Sequence, residues 1–249
     1  MKKIGILGGV GWASTIDYYR GICAGANRHF EAQGASSPLP VPPITIESVV
    51  QARTRALRGT PGDEESWAAF DAVFREALQT LEAAGCDFAV MASNTPHTRL
   101  HAIRTGVNTP TLSIYDATAE ATAAQSPSRA LVLGTAVTMQ SDKYPEALNA
   151  HGVQANPRLP EDSIAEMQAM IDEDFYGGAG PNARARLLDY CKRYSQPGDA
   201  ILLACTELPL AFPDHIDDVV FSTDGFLFVN PSAAHIATAL EKALNEAEP

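Results

Sequence analysis

The stretch AILLACTELPL, residues 200–210, carries five apolar or small residues straight into Cys205, Thr206 and Glu207. A thiol, a hydroxyl and a carboxylate at the end of a buried strand are side chains suited to moving protons. A thiol that faces backbone N–H groups at a strand terminus has its pKa drawn down from about 8.5 into the range of a working base or nucleophile. A free cysteine is otherwise a small core hydrophobe, and Cys23, Cys86 and Cys191 lie in helical or pre-strand contexts that fit this plainer reading. A second stretch has the same build. DFAVMASNTPH (87–97) and DAILLACTELP (199–209) each read Asp, five apolar or small residues, then a small polar side chain, so Ser93 stands where the other has Cys205.

These side chains need elements to hold them. Short apolar runs at Ile4–Leu7, Ile44–Ile46, Phe88–Ala92, Ala130–Leu133 and Ile201–Ala204 read as strands, and longer segments of helical period lie between them. Over Glu64–Ala84 the large residues Trp67, Phe70, Phe74, Leu78 and Leu81 recur at spacings of three and four, and Gly85 closes the helix. Asn230 as N-cap and Pro231 at the first helical position open a closing helix that runs to about Leu244. Alternating strands and helices predict an α/β fold on parallel sheets. The strands KIGILGG (3–9) and RALVLGT (129–135) echo each other as the Ser93 and Cys205 strands do, in the same order, which predicts two similar halves. Ligands of open parallel sheets bind beyond the carboxyl ends of the strands. If the halves face each other about a pseudo-twofold axis, Ser93–Thr95 and Cys205–Glu207 flank one cleft.

Composition narrows the ligand. With 249 residues, 45% of them hydrophobic, the chain can fill one large or two modest cores. A formal charge of -12 leaves no basic stripe for phosphates, so neither nucleic acid nor an anionic membrane is an expected partner, and a small molecule is. The opening MKKIGILGGVGW is cut by four glycines and reads as a strand and its turn rather than a signal peptide. No run approaches the roughly 18 apolar residues of a membrane span. Four scattered cysteines without C-x-x-C spacing fit a reducing cytoplasm and no zinc knuckle.

The Gly9-Val10-Gly11 turn lacks the third glycine of a dinucleotide fingerprint, but its N–H groups with Ser14 and Thr15 at a helix start suit a carboxylate. His97 and His101, spaced i, i+4 without a Glu between them or a third ligand, read as a solvated helix face rather than a metal site. The acidic run Asp172–Asp174 reads as wet surface, and no lysine motif suggests a pyridoxal Schiff base.

On IGILGGVGWASTIDYY (4–19), SNTPH (93–97), LVLGTAVTM (131–139) and ACTEL (204–208), four motifs in order over nearly the whole chain, the sequence resembles the aspartate/glutamate racemase superfamily. GWAST, and GTAVTM followed by Asp142 and Tyr144, look most like its bacterial branch of broad or L-Asp/L-Glu-directed specificity. The resemblance implies two pseudo-symmetric Rossmann-like α/β domains, here 1–115 plus 213–249 and 116–212, with the active site in the interdomain cleft. It implies a homodimer, no cofactor, no metal, and a small amino acid or dicarboxylate as substrate.

Two thiols on opposite faces of the substrate Cα do the chemistry in that superfamily. Carried across, ACTEL supplies Cys205 as one, and Ser93 stands in place of the other, an atypical hydroxyl at a position for a general acid or base. Asn94, Thr95, Thr135 and Thr206, with the turn at Gly11, are then expected to hold the α-carboxylate, with Glu207 beside them, and Arg53 or Gln51 a distal one. No lysine appears near DEDFYGGAG (172–180), so strict aspartate specificity is not implied. A single thiol equally resembles the cofactor-free decarboxylases of malonates or a one-base lyase or isomerase, and a catalytically impaired amino-acid-binding homologue is the non-enzymatic alternative.

Overall fold

The computed structural model describes residues 1–175 and 178–245. Tyr176 and Gly177 of DEDFYGGAG, and the last four residues of the expected first domain, lie outside the described residues. Two compact units emerge: Met1–Ser113 together with the segment that begins at His235, and Ile114–Ala234.

In the first unit β1 (Ile4–Gly8), β2 (Ile44–Ser48) and β3 (Phe88–Met91) form a parallel sheet in the order β2-β1-β3. Helix α1 (Trp12–Ala32) follows β1, α2 (Gln51–Ala56) follows β2, and α3 (Ala68–Ala83) and α4 (Leu100–Ile103) flank β3 in sequence. Period-two alternation puts Ile4 and Ile6 on one face of the sheet, buried with Tyr18 and Ile22 of α1 and with Ala239 and Ala243. On the other face lies Gly5, where a Cβ would come 3.1 Å from Leu81 and 3.2 Å from the Cys86 thiol, so the bare backbone sets how closely α3 approaches. Phe70, Phe74, Leu78 and Leu81 are buried along α3, at about 1.5–3 kcal/mol for each such side chain. The expected start at Glu64 is a 3₁₀ turn over Glu65–Trp67 that runs into α3.

The second unit repeats the plan. Here α5 (Ile114–Ala123), β4 (Ala130–Gly134), α6 (Ala136–Gln140), α7 (Lys143–Ala150), α8 (Glu161–Met170) and α9 (Ala183–Tyr194) precede β5 (Ala200–Ala204). After β5 come β6 (Val220–Thr223) and β7 (Phe226–Val229), then α10 (Pro231–Leu244), which starts in this unit and from His235 onward belongs to the first. Leu131, Leu133, Ile201, Leu203 and Phe228 pack with Met167, Met170, Phe175, Leu187 and Tyr190, whereas Ala200, Leu202, Ala204 and Val229 pack with Ile114, Tyr115, Tyr144 and Leu148. Both faces of the sheet are covered, as a run such as AILLA requires. The Asn230 carboxamide oxygen accepts the backbone N–H of Ser232 at 3.1 Å and of Ala233 at 3.3 Å, the expected N-cap of α10.

The echoing strands are neighbours within each unit: β1 pairs with β3 and β4 with β5, both in parallel, with Ile4 opposite Phe88 and Ala130 opposite Ala200. The sheet order in the second unit is β4-β5-β7-β6, and β6 runs antiparallel. A two-residue turn makes that hairpin. Asp224 (φ 52°) and Gly225 (φ 82°) both occupy the left-handed region, the primed turn whose twist matches its strands. Because β7 hydrogen-bonds in parallel to β5, residues 220–229 belong to the second unit, and the chain returns to the first at His235 rather than at 213.

Candidate functional site

Each unit gathers its expected site residues at the carboxyl ends of its parallel strands. In the first, Val49 donates its N–H to the Gly8 carbonyl at 3.0 Å and Ala92 to that of Leu7 at 2.9 Å, so the loops after β1, β2 and β3 leave the sheet side by side. Gly9 (φ 85°) makes the β1 turn possible, since a Cβ there would lie 2.1 Å from the Val49 carbonyl oxygen. Gly11 is the N-cap of α1, and its carbonyl accepts the hydroxyls of Ser14 at 2.8 Å and Thr15 at 3.1 Å. The same Ser14 hydroxyl lies 2.9 Å from the Ala92 carbonyl, so its one hydrogen is shared between the two carbonyls and ties the α1 turn to the residue before Ser93.

Ser93 is half-buried, its N–H turned back on the Met91 carbonyl at 2.8 Å, and Asn94 and Thr95 are buried as a 3₁₀ stretch, Thr95–Arg99, begins. Gln51, half-buried, opens α2, where its carbonyl accepts the Thr54 hydroxyl at 3.0 Å. Arg53 is exposed and enters no ion pair among the described residues.

In the second unit Thr135 is the N-cap of α6, its hydroxyl 3.1 Å from that of Thr138, and Cys205 leaves the adjacent strand end. The Cys205 thiol is 7% exposed and donates to Glu207 Oε2 at 2.9 Å. The Thr206 hydroxyl donates to the same oxygen at 2.8 Å. Two hydrogen-bond donors therefore converge on one carboxylate oxygen, a thiol partner that the sequence pattern does not anticipate. The arrangement fixes the direction of the thiol, with its hydrogen on the line to the carboxylate oxygen. Burial first, and the nearby Cys205 charge, hold the Tyr144 phenol well above its usual range against the lowering effect of a Thr118 hydrogen bond, so it stays neutral. Gln168 of α8 was not legible as a site residue; its Oε1 accepts the Ala136 N–H at 2.9 Å, at the start of α6, and nothing in the helical period marks it.

His97 corrects the expectation of a solvated HTRLH face. His101 is exposed, but His97 is 2% exposed in the 3₁₀ stretch, with Nε2 donating to the Met91 carbonyl at 3.3 Å and its ring edge-on to His235 at 5.3 Å. Since a carbonyl only accepts, that contact puts the hydrogen on Nε2. In His235 Nε2 likewise donates to the Leu112 carbonyl at 3.2 Å, leaving Nδ1 to accept the Tyr18 hydroxyl at 2.9 Å. Among the described residues no group of three or more His, Cys, Asp or Glu is placed to hold a metal, and no helix is long and apolar enough to cross a membrane. The acidic run 172–174 lies at the surface, where Arg186 contacts Glu173 at 3.2 Å and Asp174 at 2.5 Å.

Burial pulls His97 from its ordinary 6.5 down to about 4, and burial plus the neighbouring His97 pull His235 well below the same value. The folded chain thus keeps both rings neutral in a range where the unfolded chain binds protons. Stability from this source is full above about pH 6.5 and falls as pH drops toward 4, with a slope approaching about 1.4 kcal/mol per pH unit for each ring. Urea melts across that window are expected to show a shallower slope for His97→Gln; an unchanged slope refutes the assignment.

A family model described as Asp/Glu/Hydantoin racemase matches residues 7–239. The chain belongs to this racemase family. Racemases are isomerases, and the match takes in every strand end described above. Among relatives of the family, a glutamate racemase of Koribacter versatilis (strain Ellin345) is 31% identical over 186 residues, covering 72% of this chain and 61% of the relative. The chain thus spans less than two thirds of that protein. The broad specificity amino-acid racemase RacX of Bacillus subtilis (strain 168) is 27% identical over 218 residues, covering 87% of this chain and 90% of the relative. The crystal structure of an aspartate racemase homologue from Pyrococcus horikoshii OT3 superposes with a TM-score of 0.72 at 25% identity, covering 98% of this chain and all of that one.

Proposed function

We propose that the chain is a cofactor-independent amino-acid racemase acting on Asp, Glu or a broader set of amino acids, with Cys205 moving the α-proton on one face of the substrate and Ser93 on the other. The observation that carries the reading is the Cys205 thiol at the end of β5, held by Glu207 at 2.9 Å, in a chain of the racemase family. The relatives named glutamate racemase and broad specificity amino-acid racemase support the substrate class.

An amino acid α-proton is weakly acidic, and without an electron sink the developing carbanion must be met by donors already in place. Asn94, Thr95, Thr135 and Thr206, with the N–H groups of the turn at Gly11, are the donors assigned to the α-carboxylate. Arg53, exposed and in no ion pair among the described residues, or Gln51 takes the distal carboxylate of an acidic substrate. Glu207, which accepts the thiol hydrogen, takes that proton as the sulfur becomes the thiolate that removes the α-proton, and later releases it to solvent; the Thr206 hydroxyl keeps the carboxylate in place. Ser93 must then supply the proton for inversion. A homodimer working in the cytoplasm accompanies this reading, and light scattering checks the assembly.

The test is incubation of the purified chain with each enantiomer of Asp and Glu in D₂O, following configuration by chiral chromatography and α-deuterium by NMR. Racemisation with α-exchange is expected. Exchange without inversion in one enantiomer indicates a one-base enzyme, decarboxylation of a malonate panel indicates the decarboxylase alternative, and no exchange across a panel of amino acids defeats the racemase.

A further inference from the structure

The backbone that presents Ser93 is held by side chains from two other places in the first unit, and they belong to one buried polar cluster. The two carbonyls that precede Ser93 both have side-chain donors: His97 Nε2 donates to Met91 at 3.3 Å, and the Ser14 hydroxyl, whose single hydrogen is shared with the Gly11 carbonyl at 2.8 Å, reaches Ala92 at 2.9 Å. Met91 also receives the Ser93 N–H at 2.8 Å, so this carbonyl is the pivot of the turn. Behind His97 the rings continue to His235, which accepts the Tyr18 hydroxyl at 2.9 Å. Tyr18 and Ser14 lie one turn apart on α1, so the same helix grips the loop directly through Ser14 and indirectly through the histidine pair. Ser14 is 5% exposed and His97 2%, and Tyr18 and His235 are fully buried. Burying a hydroxyl, a phenol and two imidazoles in an apolar unit is costly unless each finds a partner, and here the cluster reaches the backbone carbonyls of Gly11, Met91, Ala92 and Leu112.

We infer that Ser14 and His97 are positioning residues that clamp the Met91–Ala92–Ser93 backbone and so aim the Ser93 hydroxyl; this rests on the proposed racemase chemistry. The clamp acts on one catalytic group only. Racemisation needs both faces, so kcat/KM falls equally in the two directions, as an equilibrium constant of one requires. Deuterium wash-in with retention of configuration needs only the group on one face.

For Ser14→Ala and for His97→Leu, racemisation is expected to fall about tenfold through kcat with KM within twofold. α-Deuterium wash-in with retention, into the enantiomer that Cys205 deprotonates, should stay within twofold. Ser14→Thr, which keeps a hydroxyl, and His97→Gln, whose amide can still donate to Met91, should recover most of the loss. Equal losses of racemisation and of wash-in would mean a general structural effect and overturn the assignment, as would unchanged racemisation.

Amide hydrogen exchange reads the clamp apart from any activity. The peptide covering Met91–Thr95 is expected to exchange at least tenfold faster in both variants at constant pH, while β5 peptides keep their protection. Unchanged exchange at 91–95 refutes the clamp even if the chain racemises. Faster exchange in a chain whose wild type racemises nothing refutes the racemase reading and leaves the clamp standing.

Discussion

Replacing Cys205 by serine is expected to abolish racemisation of every substrate the chain accepts, with a loss of at least about a thousandfold in kcat/KM. The substitution is chosen because it changes acidity and little else. Serine is close to cysteine in shape, and its hydroxyl can make the same hydrogen bond to Glu207 that the thiol makes at 2.9 Å. The site packs against the Met167, Phe175 and Leu187 cluster, and a one-atom change there costs little volume. A fold that melts near the wild-type temperature, with the rate gone, therefore assigns the loss to proton transfer. A hydroxyl is a far weaker acid than a thiol and is a poor base at neutral pH without a partner that removes its proton. Glu207 accepts the hydrogen bond at this position, but a carboxylate is too weak a base to ionise a serine hydroxyl, so Glu207→Gln in the same background should leave the Cys205→Ser variant as inactive as before. Chiral chromatography on Asp and Glu measures both. Retention of more than a tenth of the wild-type rate by Cys205→Ser would remove Cys205 from the mechanism.

What the sequence showed and what it hid follow from how local each signal is. Strands β1 to β5 were legible as short apolar runs, most clearly β3 and β5, because a parallel strand buried on two faces must be apolar throughout, as FAVM and AILLA are, whereas β6 and β7 were not among the expected strands. The equivalent places of Ser93 and Cys205 were legible in the same way: equal spacing from Asp87 and Asp199 carries one just past β3 and the other just past β5. The β6–β7 hairpin carried its own signal in Asp224-Gly225 between apolar residues, and following it would have kept 220–229 with the second unit. His97 was misread because periodicity cannot tell a polar residue facing solvent from one facing a buried partner. Its partners are the Met91 carbonyl, six residues back, and the His235 ring, 138 positions away. The convergence of Cys205 and Thr206 on Glu207 depends on rotamers within a tight turn; the residue types were legible and their direction was not.

Introducing the thiol that the resemblance leads one to expect is the converse experiment. Ser93→Cys is expected to raise racemisation by up to about a hundredfold, because one general acid–base group is being restored to a working acidity. With a pKa near 8.5 a cysteine is roughly a quarter thiolate at pH 8, whereas a serine hydroxyl is essentially all protonated. In the structure Ser93 leaves the end of β3 half-buried, where the larger sulfur can be admitted, and its backbone is fixed through Met91 and Ala92.

The gain must be the same in kcat/KM for both enantiomers, since the interconversion has an equilibrium constant of one. kcat and KM are free to divide it unequally, and the larger rise in kcat should fall on the enantiomer whose proton the wild-type hydroxyl removes poorly. Deuterium wash-in sharpens the assignment. Exchange with retention should rise for that enantiomer alone, and it should stay near the wild-type value for the one that Cys205 serves. Adding Cys205→Ser to Ser93→Cys exchanges the thiol and the hydroxyl between faces, so it should keep wash-in for the first enantiomer, lose it for the second, and cut inversion far below that of Ser93→Cys alone. If Ser93→Cys leaves racemisation and both wash-in rates untouched, Ser93 does not face the reacting carbon, and the second proton comes from elsewhere.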